Sequence, residues 1–307
     1  MASIAAGVVL FNPEDQQRFL ESIESVLKQF PKVYIFDNST KRVDLPNLPE
    51  SAVYITEHAN RGIAYALNRL MQHAENDGFD WLVTMDQDSV LPPNIEKAYE
   101  KHFHDKDVAI ICPQVVDSRR AYMEVKHEPA QEYIDDCITS GSCTSIAAWK
   151  KVGGFDDWLF IDLVDNEFCK RIIAAGYKIL RLNDVVMNQE FGTIIPKSKR
   201  VQDFWVGLSK KLNKPNIGKL SYKKTVSPLR VYYTNRNIIY VNRKLKKYGS
   251  VGYQNYHCRG YLGFWIAFNI PSVLRAQDKK AVIKSIVKGV QDGKASKPQP
   301  WSAPSTN

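Results

Sequence analysis

The sequence predicts an α/β fold, with a mostly parallel central sheet flanked by helices, joined to a basic and mainly helical C-terminal extension. First, apolar strand-like runs alternate with helix-like segments up to about residue 195, an order typical of parallel sheets. Second, residues 1–195 contain 19 Lys and Arg against 30 Asp and Glu, whereas residues 196–307 contain 23 against 3. We therefore expect a domain over residues 1–195, an extension over residues 196–292, and a disordered tail, rich in Pro, Ser and Lys, over residues 293–307.

The individual elements follow from the spacing of apolar residues. Residues 4–11 form a continuous apolar run, as expected of a strand buried on both faces, and apolar residues at helical spacing between Pro13 and Phe30 predict the first helix. In the extension, residues 272–290 place Val and Ile opposite Lys, which predicts a basic amphipathic helix. Further strands are predicted at residues 32–37, 52–56, 81–85 and 108–113, and further helices at residues 60–75 and 165–176.

Composition limits the class of protein and its compartment. The five cysteines form an odd set without a Cys-x-x-Cys pair, which favours a reducing compartment. The first residues read as a buried strand and not as a basic leader, and no apolar run reaches the roughly 20 residues that span a bilayer. We therefore expect a cytoplasmic protein.

Polar residues directly after strands are the first candidates for a ligand site, because ligands bind beyond the carboxyl ends of parallel strands. Asp37 follows the second predicted strand, and Asp86 and Asp88 follow the fourth. Two carboxylates in this position can hold a divalent cation against a diphosphate; a turn or a helix cap is the alternative. The similar pattern at residues 105–107 precedes a strand, so we interpret it as a solvated turn.

Each of two short polar segments has a ligand-binding interpretation and a purely structural one. Asp37 and the residues after it can bind a nucleobase or ribose, or can simply form a turn. Asn60 and Gly62 open a predicted helix, where backbone N–H groups can bind phosphate, although an ordinary Asn cap explains the same pattern.

The densest acidic cluster lies at residues 156–167, and Asp165 falls at the start of a predicted helix. A carboxylate there can cap the helix, or it can act as the general base that removes a proton from an attacking hydroxyl. The small residues just upstream, at residues 139–145, can line a pocket with their backbone N–H groups or can serve tight packing.

In their order, these segments resemble the family 2 glycosyltransferases of the Rossmann-like GT-A fold, and within them a bacterial rhamnosyltransferase-like branch. The resemblance covers residues 4–195. The segments that indicate the rhamnosyltransferase-like branch are DQDS at residues 86–89, FIDLVDNE at residues 160–167 and PLRVYYTNRN at residues 228–237. The other matching segments are VVLFNP, FDNS, NRGIAYALN and SGSCTSIAAWKKVGGF.

The resemblance implies a donor site for a dTDP- or UDP-sugar. Asp37 would contact the nucleobase, and Asp86 would contact the ribose or lie in the outer shell of the metal. Asp88 would bind Mg²⁺ or Mn²⁺ directly, and Gln189 stands where relatives often have a metal-binding histidine. The remaining residues expected along the donor are Asn38, Asn60, Arg61, Gly62, Gln87, Gly141 and Ser142.

The resemblance also implies an inverting, single-displacement transfer. Asp165 corresponds to the base of the family, with Val164 in place of a first acid, so Asp162 is a second candidate. Trp158 would join Asp165 at the acceptor. The donor sugar would be rhamnose from dTDP-rhamnose, with UDP-galactofuranose or a UDP-hexose as alternatives, and the acceptor would be a growing bacterial cell-surface glycan, such as an O-antigen or capsule, on a lipid carrier.

The basic extension has more than one interpretation. Phe264, Trp265 and the helix at residues 272–290 can rest on the anionic inner face of the plasma membrane, or pack against the catalytic domain or a second subunit in a homodimer. From another class, tyrosines among lysines would suit a nucleic-acid-binding module with an inert first domain, and a non-catalytic scaffold is a third interpretation. The acidic first domain would repel a polyanion, so we expect no nucleic-acid partner.

Overall fold

The computed structural model describes residues 2–13, 16–45 and 48–304. Its centre is an eight-stranded sheet with the order β3-β2-β1-β4-β7-β5-β8-β6. Strands β1 to β4 pair in parallel, as do β5 and β8, whereas β7 and the edge strand β6 run antiparallel to their neighbours. The strands are β1 (Ile4–Leu10), β2 (Val33–Asp37), β3 (Ala52–Thr56), β4 (Trp81–Asp86), β5 (Val108–Val116), β6 (Gln131–Ile134), β7 (Ser142–Ser145) and β8 (Lys178–Asn188). The prediction of a mostly parallel α/β sheet is confirmed.

Helices cover both faces of this sheet, which explains why every residue of β1 is buried. Because side chains alternate along a strand, Ala5 and Val9 belong to the core on one face, and Val8 and Leu10 to the core on the other. The helices around the sheet are α1 (Gln16–Leu27), α2 (Ile63–Asn76), α3 (Ile95–Glu100), α4 (Ile146–Val152) and α5 (Val164–Ala174). The first predicted helix began at Pro13, but residues 14 and 15 lie outside the described residues.

The extension consists of helices and one short two-stranded sheet. These helices are α6 (Lys199–Leu212), α7 (Pro215–Gly218), α8 (Pro228–Lys244), α9 (Gly260–Phe264), α10 (Ile270–Arg275) and α11 (Lys279–Ala295), and the sheet pairs β9 (Ile194–Pro196) with β10 (Tyr222–Lys224). A π-helical turn, Trp265–Asn269, joins α9 to α10 into one continuous rod.

Helix α8 attaches the extension to the first domain. Ile238 and Val241 of α8 share one hydrophobic core with Leu67 of α2 and Phe168 of α5. On its other side α8 packs closely against α11, where a Cβ at Gly289 would lie 2.5 Å from the backbone oxygen of Tyr232.

The structure differs from the prediction at the C-terminal end. The single helix expected at residues 272–290 is divided between α10 and α11, because the carboxylate of Asp278 caps a new helix by accepting from the N–H of Ala281 at 2.9 Å. Residues 293–295, which were expected to belong to a disordered tail, complete α11. Trp301 donates from Nε1 to the carbonyl of Val152 at 3.1 Å, so one aromatic side chain anchors a segment whose composition indicates disorder. Residues 305–307 lie outside the described residues.

Candidate active site

The ends of strands β4 and β8 place Asp86 and Gln189 in direct contact. Gln189 is fixed by its backbone N–H, which donates to Val116 at 2.9 Å, and its Nε2 donates to Oδ2 of Asp86 at 3.0 Å. The other amide atom, Oε1 of Gln189, is buried and has no hydrogen-bond partner among the described residues. An orphaned oxygen beside a carboxylate is an arrangement that a bound cation would satisfy.

Asp88 supplies a second carboxylate on the solvent side. It is exposed, and its backbone carbonyl accepts from Nε of Arg18 at 2.6 Å. Burial, and then the nearby negative charge of Asp88, raise the pKa of Asp86 to about 6. A cation between these groups would remove that repulsion. Within the described ranges there is no group of three or more His, Cys, Asp or Glu side chains placed to hold a metal. The candidate ligands for a cation at this place are therefore the two carboxylates and the amide oxygen of Gln189.

Gln87 turns away from this pair. Its Oε1 accepts from the N–H of Phe11 at 2.7 Å and its Nε2 donates to the carbonyl of Phe11 at 3.1 Å. The side chain expected to contact the donor therefore ties the end of β4 to the end of β1.

Asp37 has a structural environment that differs from the expected contact with a nucleobase. The residue is 0% exposed, and its two oxygens accept from the N–H groups of Ser39 and Val43 and from the hydroxyl of Tyr54. A carboxylate with three protein donors and no exposed surface holds a turn together, which is the alternative that the sequence left open.

The next three candidates form a hydrogen-bonded connection between β2 and α2. Asn38 is buried, accepts from the N–H of Arg61 at 2.9 Å and donates to Asn60, whose Oδ1 also accepts from the N–H of Gly62. The Arg61 side chain is exposed and lies over the ring of Tyr65. Of this group, Arg61 is the one that can reach a ligand in solution.

Gly62 is required by a close approach within the protein. Its φ is +90°, and a Cβ there would lie 2.6 Å from the backbone oxygen of Phe160. The N–H of Ile63 donates to that same oxygen at 2.8 Å. The glycine therefore brings the start of α2 against the segment of residues 158–163, which precedes Asp165.

Gly141 and Ser142 are buried beneath the site. The carbonyl of Gly141 accepts from the hydroxyl of Tyr99 at 2.6 Å, and Oγ of Ser142 donates to the carbonyl of Ile138 at 2.5 Å. Both residues are tightly packed, since a Cβ at Gly141 would lie 3.0 Å from the side chain of Met187; tight packing was one of the two interpretations.

Asp165 lies in the first turn of α5 and has the properties of a general base. Its Oδ1 accepts from the N–H of Asn166 at 2.9 Å, and the residue is half-buried. Burial, together with the negative charges of nearby groups that include Asp162, raises the pKa of Asp165 to about 7. A carboxylate with this pKa can take a proton from a hydroxyl near neutral pH and release it again.

Asp162 is engaged in an ion pair. Both of its oxygens accept from the guanidinium of Arg230, at distances of 2.6 to 3.0 Å. Such a bidentate pair engages both carboxylate oxygens of Asp162, so Asp165 is the better placed of the two candidate bases.

The segment that carries these aspartates is held by α8. Asp162 and Leu163 both adopt positive φ, of 69° and 62°. The amide of Asn237 donates to the carbonyls of Ile161 and Asp162, each at 2.8 Å, and satisfies this unusual backbone. The motif PLRVYYTNRN therefore has a structural explanation, since it supplies both Asn237 and Arg230.

Trp158 packs against the same helix. Its ring stacks on Tyr240 with centroids 3.9 Å apart, and the guanidinium of Arg236 lies 3.8 Å from its centroid. Arg236 also donates to the carbonyl of Trp158 at 2.7 Å. The tryptophan expected at the acceptor is thus held in protein contacts while remaining partly exposed.

Two functional candidates were missed by sequence reasoning. Asp136 accepts from the side chain of Asn166 through Oδ2, while its Oδ1 is buried without a partner among the described residues. Burial, and then the charge of Asp165, raise the pKa of Asp136 to about 8. Arg230 is paired with Asp162, and its positive charge partly offsets the rise in the pKa of Asp86, so it acts on both groups of carboxylates. The adjacent acids at 135–136 and the motif at 228–237 were the available signals.

The comparisons with known proteins agree with this architecture. Residues 7–150 match the family model for glycosyl transferase family 2. The dTDP-rhamnosyl transferase RfbF of Shigella flexneri is 24% identical over 264 residues, which are 79% of this chain and 81% of that protein.

Two solved structures share the fold at low sequence identity. The mannosyltransferase PcManGT from Pyrobaculum calidifontis, in complex with GDP-Man and Mn²⁺, matches with a TM-score of 0.50 and 14% identity over 96% of this chain and 75% of that chain. GalNAc-T7 with UDP, GalNAc and Mn²⁺ matches with a TM-score of 0.50 and 12% identity over 89% of this chain and 58% of that chain. Residues 7–150 therefore belong to glycosyl transferase family 2, and the chain as a whole has the GT-A fold and a rhamnosyltransferase-like relative, as the ordered motifs predicted.

Proposed function

We propose that the protein is an inverting, metal-dependent glycosyltransferase that moves rhamnose from dTDP-rhamnose to a hydroxyl of a growing bacterial cell-surface glycan. The observation that carries the proposal is a pair of carboxylate groups with Arg230 close to both. Asp86 and Asp88 accompany the orphaned oxygen of Gln189, Asp165 has a pKa of about 7, and the charge of Arg230 acts on both Asp86 and Asp165.

Asp88, Asp86 and Gln189 are the residues that would hold Mg²⁺ or Mn²⁺. The buried, unpartnered Oε1 of Gln189 and the raised pKa of Asp86 fit a cation at this place, and the presence of Mn²⁺ in both similar structures supports it. The cation would supply positive charge for the departing nucleotide diphosphate.

Asp165 performs the proton transfer in this proposal. Its carboxylate accepts the proton of the acceptor hydroxyl, and the oxygen forms a bond to the anomeric carbon of the sugar. The bond from that carbon to the diphosphate oxygen breaks with its electron pair, so the nucleotide diphosphate leaves as an anion. A single displacement of this kind inverts the anomeric configuration, and Arg230 lies where it can contribute positive charge to the leaving group.

The nature of the donor is supported by the relatives. The relative from Shigella flexneri is a dTDP-rhamnosyl transferase, whereas the two similar structures contain GDP-Man and UDP. UDP-galactofuranose and a UDP-hexose are the alternative donors. The acceptor in this proposal is a glycan on a lipid carrier at the inner face of the plasma membrane.

Nucleotide release from a panel of dTDP- and UDP-sugars, with Mn²⁺ or Mg²⁺, tests the proposal. We expect slow release from dTDP-rhamnose that is lost on chelation of the metal and in Asp88→Ala. Asp107→Ala is the matched control, because Asp107 is also an exposed aspartate of an Asp-x-Asp pattern. Absence of both release and donor binding across the panel would overturn the proposal, and release from a UDP-sugar alone would replace rhamnose.

A further inference from the structure

The rod formed by α9, the π-helical turn and α10 has an apolar stripe along its outer side. Leu262, Ile266, Ile270 and Leu274 are 77%, 61%, 49% and 70% exposed. They are spaced four residues apart, so their side chains lie on one face of the rod. Four large aliphatic side chains in a row are an unusual feature of a surface that contacts only water.

The opposite side of the rod is fixed to the protein, so the stripe is held in its outward position. Phe264 and Asn269 are both 0% exposed, and Asn269 exchanges two hydrogen bonds of 2.9 Å with Asn235 of α8. The expectation that Phe264 would face a membrane is therefore wrong, because this side chain is part of the core. Leu262 and Ile266, each two positions from Phe264 and therefore about half a turn away, lie on the outer face.

Exposed cations accompany the stripe. Arg259 and Arg275 lie at its two ends, and Lys279 and Lys280 begin the next helix. Asp278, the acidic residue between Arg275 and Lys279, accepts the hydrogen bond that caps α11. Residues 196–307 as a whole contain 23 Lys and Arg against 3 Asp and Glu, so the surrounding field favours an anionic partner.

We infer that the stripe of Leu262, Ile266, Ile270 and Leu274 is the surface by which the protein docks on an anionic lipid bilayer. Apolar side chains enter the boundary between headgroups and acyl chains, while the neighbouring Arg and Lys contact lipid phosphates. No helix of the described residues is long and apolar enough to cross a membrane, so this contact is peripheral. The inference rests on the proposed function in one respect, since a lipid-linked acceptor would give the membrane contact its biological purpose.

Co-sedimentation with vesicles, without any sugar donor, tests the inference. The wild type is expected to bind vesicles of phosphatidylcholine with phosphatidylglycerol and to bind pure phosphatidylcholine weakly. The double variant Leu262→Gln/Leu274→Gln is expected to bind the anionic vesicles about tenfold or more weakly, because two apolar anchors are lost. The control Leu20→Gln/Leu229→Gln removes leucines of similar exposure, 54% and 58%, and should bind like the wild type.

Equal binding by the stripe variant and the control variant would overturn the inference, as would a wild type that ignores anionic vesicles. A wild-type dimer that becomes a monomer in the stripe variant, without vesicle binding by either, would instead assign the stripe to a contact between two copies. Nucleotide release by the stripe variant reports separately on the proposed transfer reaction, so the two proposals fail independently.

Discussion

At the scale of single residues, the same carboxyl group has different chemistry in different surroundings. Asp37 accepts hydrogen bonds on both oxygens from its own chain, Asp162 is paired with Arg230, and Asp165 has a raised pKa. The sequence could place Asp86, Asp88 and Asp165, because strand ends and helix starts are readable from local patterns. It could not predict the burial of Asp37, since this depends on Tyr54 from the next strand.

The raised pKa of Asp165 predicts the pH dependence of the reaction. An aspartate acts as a base only when it is deprotonated, and burial lifts its pKa from the ordinary value to about 7. The rate should therefore fall as the pH decreases through about 7 and reach a plateau above it. A profile of kcat/KM against pH checks this, and a rate that stays constant down to about pH 5, as for an ordinary aspartate, would contradict it.

Asp136 and Asp165 are expected to titrate as a pair. Burial raises both pKa values, to about 8 and about 7, and the negative charge of Asp165 adds to the rise at Asp136, so the protonation of one carboxyl affects the other. In Asp136→Asn, one of these two titrations should disappear, and the other should lie at or below its wild-type value because the neighbouring charge is gone. NMR of labelled carboxyl carbons measures this, with Asp135→Asn as the control at an adjacent exposed aspartate. Two wild-type titrations near about pH 4 would contradict the coupling.

At the scale of elements, the strength of the local pattern decided what could be predicted. The apolar strands β1 to β5 and the helices α2 and α5 are close to their predicted positions. Strand β8 was missed because Lys178, Arg181, Asn183 and Asp184 interrupt its apolar residues, and β7 was missed because it consists of four mostly small residues. Both strands form by pairing with strands that are distant in the sequence, and a local pattern of apolar residues carries no information about such pairing.

Among the contacts between elements, the contact of Gly62 with Phe160 gives the clearest prediction of a change in the free energy of unfolding. An alanine there would meet the backbone of Phe160 at 2.6 Å in addition to the strain of a positive φ. Gly62→Ala should therefore lower the free energy of unfolding by about 2 kcal/mol or more, whereas Gly176→Ala should cost about 1 kcal/mol. Gly176 is the matched control, since it has the same φ of +90° and open space around it. Urea denaturation compares the two, and equal losses would show that the approach to Phe160 is not tight.

At the scale of the whole molecule, the first domain and the extension share buried charges as well as a hydrophobic core. Lys244 of α8 contacts Asp156 at 2.5 Å and Glu167 of α5 at 2.8 Å. Glu167 is 0% exposed and is also paired with the buried Arg171. The charge asymmetry of the sequence indicated two parts, but it could not show that the basic part completes the core and positions Asp162.

Removal of Lys244 should destabilise the molecule as a unit. Lys244→Met would leave two buried carboxylates with less positive charge around them, which costs about 3 to 5 kcal/mol for a broken buried pair. Chemical denaturation should show one transition at lower denaturant concentration, while Lys247→Met, at an exposed lysine of the same segment, should change little. Loss of cooperativity with an unchanged midpoint would contradict a shared core.

The most direct test of the central claim is a comparison of donor binding and nucleotide release in Asp165→Asn. In the proposed reaction the donor binds at the ends of β4 and β8, whereas Asp165 serves proton transfer. We therefore expect this variant to bind dTDP-rhamnose with Mn²⁺ as tightly as the wild type by calorimetry, but to transfer or release its sugar at least about a hundredfold more slowly. An Asp165→Asn variant with wild-type turnover would contradict the assignment of Asp165 as the base and, with it, the proposed reaction.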